Sequence, residues 1–192
     1  MLNQLVFIFN LQIKTNKKNM KAINLLAIIL IISIGCTTTV SNDASTVPNG
    51  GKILNGPNAG ATYTFASDEV GQLAINFSDA FVRKDLEFLS TEHFADSIFF
   101  YPEKGLEKVV MDLETGKKLI QAMHEPYDSI TRWVYDVLPV IPSYDKELTI
   151  VMFPFTEKRY KKDGTIEKFR FYERHYIRDG KITGVRKWSQ EE

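Results

Sequence analysis

Beyond residue 66 the apolar positions keep a helical period first and a strand period later. Val70, Leu73, Ala74, Phe77 and Phe81 fall at i, i+3, i+4, i+7 and i+11, a single stripe on an amphipathic helix. Ser67 is placed to cap it, and Asp68 and Glu69 favour the positive end of its dipole. Asp85 is placed to cap a second, short helix over residues 86–94, with Leu86 and Leu89 inward. Residues 97–101 read as a strand ended by Pro102. The next segment, 103–114, reads two ways: Leu106, Val109, Val110 and Leu113 have helical spacing, yet 109–111 also suit an edge strand. Residues 116–123 read as a further helix. Strands follow over 129–140, 148–160, 165–177 and 182–188, the later ones joined by turns at Asp163-Gly164 and Asp179-Gly180. Helices first and an antiparallel meander after is an α+β pattern.

The N-terminal part has a different pattern. Residues 1–36 carry Lys14, Lys17, Lys18 and Lys21 and no acidic side chain. An 11-residue run, 25–35, then has Ser33 as its one polar member. A helix across the hydrocarbon core needs about 20 apolar residues, so this length suits the apolar region of a signal peptide. The run ends in Ser33-Ile34-Gly35-Cys36, which resembles the lipobox of bacterial lipoproteins. That resemblance implies cleavage before Cys36, lipidation of its thiol and attachment to a membrane of the bacterial cell envelope, on the periplasmic or surface side. The alternative for Cys36 is a structural thiol at a helix end. Met20-Lys21 followed by the apolar run makes a complete signal by itself, which points to Met20 as the true start.

Residues 37–66 are dominated by Thr, Ser, Asn, Gly and Pro and read as a flexible linker. Gly50, Gly51 and Gly56 lack the strand, helix and Gly-Lys-Ser/Thr ending of a phosphate loop, so no cofactor is expected. The organisation is thus a signal over 1–36, a linker over 37–66 and one α+β domain over 67–192. The whole chain balances 24 Lys+Arg against 24 Asp+Glu. Taking the four signal lysines away leaves 20 basic against 24 acidic side chains, a formal charge of −4. Neither count supports a nucleic-acid partner. A single cysteine excludes a disulfide scaffold.

Four segments carry a family resemblance. They are the first helix with Phe77 and Phe81, Lys84-Asp85-Leu86 leading to 94–100, the 116–123 segment with its Gly-x-x-x-Ile pattern, and the strand-turn-strand ending at 176–182. In order and spacing they resemble the SnoaL-like, ketosteroid-isomerase-like branch of the nuclear transport factor 2-like superfamily. The resemblance implies a cone-shaped, curved antiparallel sheet packed on N-terminal helices and enclosing a pocket. It also implies a homodimer through the sheet in many members, and activities that include isomerases, cyclases, dehydratases and hydrolases. Fold alone selects none of these. The Tyr-plus-two-Asp set of ketosteroid isomerase has no counterpart, since the first helix offers Asp79 and no Tyr.

Alternation on 165–177 puts Phe169, Phe171, Glu173, His175 and Ile177 on the apolar, inward face. Burial raises a carboxyl pKa and imidazole titrates near neutrality, so Glu173 and His175 are candidates for proton transfer. The other reading is a pair satisfying one polar patch. His124 ends a helix, where the dipole favours its cation, or borders the pocket. Tyr101, Trp133, Tyr135, Phe169 and Phe171 line a pocket for an apolar ligand or are ordinary core aromatics. Trp133 and Tyr135 lie on the face opposite Asp136, so only one set looks inward. The run Lys158-Arg159-Tyr160-Lys161-Lys162 reads as a solvated hairpin end. His93, His124 and His175 have no metal-ligand spacing.

The sequence therefore points to an envelope lipoprotein whose domain binds a small apolar molecule without catalysis. The alternatives are an acid–base enzyme acting on a small hydrophobic substrate, and a dimerisation or protein-interaction module. Metabolic labelling with a fatty-acid probe tests the anchor. The wild-type chain is expected to take label and sediment with membranes, and Cys36→Ala to lose both; label on the variant overturns the assignment.

Overall fold

The computed structural model describes residues 49–102 and 107–191. The signal expected over 1–36, with Met20 and Cys36, and residues 37–48 of the expected linker lie outside the described residues. The elements in order are β1 (Asn49–Lys52), β2 (Thr62–Phe65), α1 (Asp68–Arg83), a 3-10 turn (Leu86–Phe88), β3 (Phe94–Tyr101), β4 (Val109–Asp112) and α2 (Leu113–His124). The remainder is β5 (Tyr127–Val134), β6 (Leu138–Pro142), β7 (Thr149–Lys161), β8 (Ile166–Arg178) and β9 (Lys181–Glu191). No helix among the described residues is long and apolar enough to cross a membrane.

The strands form one sheet in the order β1-β2-β6-β7-β8-β9-β3-β4, with β5 also on β7. It is a mixed sheet. Its ladders are antiparallel except between β3 and β9, which run parallel with Phe99 beside Gly184. The β7–β8 hairpin pairs from Thr149–Ile177 to Tyr160–Ile166 and is the sheet's spine. Asp179 and Gly180 both take positive φ, 49° and 72°, as a tight turn between twisted strands requires. The inner face of the spine is Val151, Phe153 and Phe155 against Phe171 and Ile177, all buried.

Helix α1 lies on this face with the stripe read from the sequence. Ala74 is buried in the core, and Val70, Leu73 and Phe77 pack against it. Ser67 stands at its start without a side-chain cap. Lys84 ends it in the left-handed region, and its Nζ donates to the carbonyls of Tyr127 and Asp128 at 3.1 and 3.2 Å, fixing α1 to the start of β5. Asp112 caps α2 by accepting the Thr115 N–H at 2.8 Å.

Four boundaries differ from the sequence reading. Linker residues 49–52 and 62–65 are strands, because the alternation Thr62-Tyr63-Thr64-Phe65 supplies β-branched and aromatic side chains that pair with β6. The short helix over 86–94 is only the 3-10 turn; Ser90 breaks it by accepting the N–H groups of His93 and Phe94, and Phe94 already starts β3. The ambiguous stretch resolves into β4 followed directly by α2. The strand read over 129–140 is β5 and β6, two segments along the same edge of β7 interrupted at 135–137.

Gly184 leaves no room for a side chain, since a Cβ there would overlap the Phe99 ring of the parallel neighbour. Gly184→Ala is therefore expected to cost about 1–3 kcal/mol in urea unfolding. Adding Phe99→Ala is expected to make the combined loss smaller than the sum of the two single losses; plain additivity would mean the ring is not the obstacle.

Candidate functional site

Between α1, α2 and the inner face of the sheet lies a cavity of ≈ 70 Å³. Phe77, Phe81, Phe94 and Phe100 form an aromatic wall, and Leu119, Ile120 and Met123 of α2 an aliphatic one. Three charged residues complete the lining: Arg132, Glu173 and Lys187. Each arrives by strand alternation. Arg132 of β5 is inward with Ile130, Glu173 of β8 with Phe171, and Lys187 of β9 with Val185.

These side chains belong to a buried ionic cluster. Glu157 of β7, with no exposure, receives the Nε–H of Arg132 on one oxygen and that of Arg159 on the other, each at 2.6 Å. Arg132 Nη1 also donates to Ser78 Oγ of α1 at 3.1 Å. Glu173 faces Lys187 directly across the β8–β9 ladder, with Nζ 3.5 Å from Oε1. Aromatic faces cover the cations. The Arg132 guanidinium lies 4.2 Å from the Phe81 ring centre and 4.4 Å from that of Phe155, and Lys187 Nζ lies 4.0 Å from that of Phe171.

The structure brings Glu173 and His175 together, with His175 Nε2 at 2.9 Å from Glu173 Oε2. It places them unequally. Glu173 lines the cavity, whereas His175 lies behind it, wedged between Phe77 and Phe153. The Glu173 carboxyl also departs from the sequence expectation. Burial pushes its pKa up, but the Lys187 charge, the His175 hydrogen bond and the Arg132 charge prevail and hold it down at about 2. An ionised carboxylate only accepts, so Nε2 carries the hydrogen in this pair. His175 Nδ1 then has no hydrogen-bond partner among the described residues. Glu157 behaves alike: burial raises its pKa, and Arg132, Lys187 and Arg159 together lower it below the usual range.

The other candidates lie elsewhere. Trp133 and Tyr135 are 71% and 55% exposed on the outer face, because Arg132 and Val134 take the inward positions of β5. Tyr101 is half-buried on that outer face beneath the Arg186 guanidinium, 4.2 Å from its ring centre. Phe169 and Phe171 are buried behind the cavity, under Arg159 and Lys187, and do not line it. His124 is buried against Phe81 at 4.4 Å. Its pKa is lowered, chiefly by burial and next by the Lys84 charge, so the expected dipole-favoured cation is outweighed. Arg159, read as part of a solvated hairpin end, points inward instead, two residues from Glu157 on the same face. Among the described residues no group of three or more His, Cys, Asp or Glu is placed to hold a metal ion.

Two consequences are measurable. Arg132→Met leaves the Glu157 carboxylate with Arg159 alone and is expected to cost about 1–3 kcal/mol in urea unfolding, the scale of one lost hydrogen bond to a buried charge. Because the folded-state pKa of Glu173 lies below its ordinary 4.5, its contribution to stability is complete above about pH 4.5 and is lost as pH falls toward about 2. Urea midpoints across that window should fall with acidification in the wild type and fall less steeply in Glu173→Gln; parallel slopes would contradict the low value.

No family model matches the chain, and no curated protein matches it. Solved structures do. A protein of Kribbella flavida superposes with a TM-score of 0.56 at 11% identity, over 65% of this chain and 90% of its own. A nuclear transport factor 2-like protein of Anabaena variabilis superposes at 0.51 and 17%, over 67% and 95%. An LEH-like epoxide hydrolase of M. tuberculosis does so at 0.51 and 13%, over 65% and 84%. At such identities the likeness is one of fold, and it accords with the topology above: the described domain has the α+β, cone-shaped fold of the nuclear transport factor 2-like structures.

Proposed function

We propose that this domain is a binding module for a small, largely apolar molecule, and that lipid on Cys36 holds it at a membrane of the bacterial envelope. The observation that carries the binding half is the cavity itself. Its walls are aromatic and aliphatic, and its charged groups converge from Arg132, Glu173 and Lys187, the usual division of labour in a ligand site. At ≈ 70 Å³ it is smaller than the roughly 300 Å³ expected of a drug-sized pocket, so the ligand is small or α2 yields to admit it.

Binding is favoured over acid–base catalysis by the state of Glu173. A general base works best with a pKa near the operating pH, and this carboxylate is held at about 2 by Lys187 and His175. The enzyme reading keeps one observation on its side: Glu173 lines the cavity with an imidazole at 2.9 Å behind it. An LEH-like epoxide hydrolase, 13% identical, has a similar fold.

Native mass spectrometry of the gently purified full chain tests the binding reading. A co-purifying small molecule of constant mass is expected on the wild type. Met123→Trp, which fills the cavity from α2, should lose it while keeping the urea midpoint. An empty wild-type chain, or retention by the filled variant, would sink the proposal.

A further inference from the structure

The charged end of the cavity is incompletely satisfied by the protein's own groups. Lys187 has a side chain only 4% exposed, and its ammonium carries three N–H donors. Its ion-pair partner, Glu173 Oε1, stands 3.5 Å away, beyond the roughly 2.7–2.9 Å of a charge-assisted hydrogen bond. The other oxygen of that carboxylate is taken by His175 Nε2. Ring faces also cover Nζ, Phe171 at 4.0 Å and Phe81 at 6.0 Å, and a ring face attracts a cation without offering a lone pair, while the Glu157 carboxylate acts on Lys187 through its charge. Lys187 is thus buried, charged, short of acceptors and part of the cavity wall.

The rest of that wall says what kind of acceptor fits. Among the described residues Arg132 is the second cation on it and Glu173 the sole anion, so the described charges lining the cavity sum to positive. The Glu157 carboxylate behind Arg132 is divided between two guanidiniums. A neutral carbonyl or hydroxyl would give Lys187 one bond and leave the charge of the wall unchanged. A carboxylate supplies lone pairs on two oxygens and the compensating charge together. A cationic ligand would meet like charge, and a dianion would oppose Glu173.

We infer that the ligand of this cavity is a small amphipathic monoanion, a carboxylate on a short apolar body, with its head against Lys187 and its body against the walls from α2 and β3. The inference rests on the binding reading above and names its ligand class. It assigns Lys187 as the residue that tells acid from alcohol, with Arg132 lending field and Glu173 excluding a second negative charge.

The test uses the full chain and straight-chain acids from butyrate to octanoate, with the primary alcohol and amine of each length as controls. Dissociation constants come from ligand-observed NMR titration at pH 7. The best acid is expected to bind at least about tenfold tighter than its alcohol, the scale of one hydrogen bond to a charged group. Lys187→Met should abolish the advantage of the acid over its alcohol, while Lys187→Arg should keep it. The wild-type comparison decides the matter even where Lys187→Met fails to fold. Equal binding of acid and alcohol, or preference for the amine, overturns the anion assignment and leaves the binding reading standing. Binding of none of the three series at any length overturns both.

Discussion

Five ionised side chains, Arg132, Glu157, Arg159, Glu173 and Lys187, sit on the inner face of the sheet with almost no access to water. Desolvating a charge is expensive, and only close partners in good geometry offset it. This requirement constrains the strands around them. Glu157 must stand beside Arg132 on β5 and two residues before Arg159 on its own strand. Glu173 must stand opposite Lys187 on β9. A one-residue slip in any of these ladders would send every second side chain to the other face and strand a charge. The cluster thereby specifies register more sharply than the surrounding phenylalanines, which tolerate exchange among themselves.

The same alternation explains what could be read in advance. On β8 the apolar members Phe169, Phe171 and Ile177 outnumber the polar ones, so the inward face was plain and carried Glu173 and His175 with it. On β7 the same logic applies to Val151, Phe153, Phe155, Glu157 and Arg159, and it was available. The basic run at 158–162 hid it, because a cluster of like charges reads as solvated before its parity is counted. Lys187 was masked in the same way by the short strand assigned around it. Trp133 and Tyr135 misled in the opposite sense. Large aromatics usually mark the inside, but Arg132 is called inward by Glu157, and the ion pair decides the face. The first helix was legible in full because its stripe is long. The 86–94 segment was not, since four apolar residues cannot distinguish a helix from a turn entering a strand.

The site combines two environments that are rarely adjacent. Most of the cavity wall resembles ordinary core, while one end has a fixed electrostatic field from side chains that cannot relax into water. Such a field is set before any ligand arrives, because each guanidinium is locked by a hydrogen bond and sandwiched by rings. Preorganisation of this kind lowers the cost of ordering on association and rewards correct orientation.

The parallel pairing of β3 with β9 has a bearing on when the cavity comes into being. Phe99 and Gly184 are far apart in sequence, and their ladder holds one cavity wall in place. The β7–β8 and β8–β9 hairpins are local and can close early, whereas the β3–β9 ladder must wait for the chain to return on itself. The cavity is thus closed by β9, the last of the described strands in chain order. Without β9, β8 and β3 lose the neighbour that joins them and Glu173 loses the cation opposite it, so one strand supplies both the closure of the cavity and its charge balance.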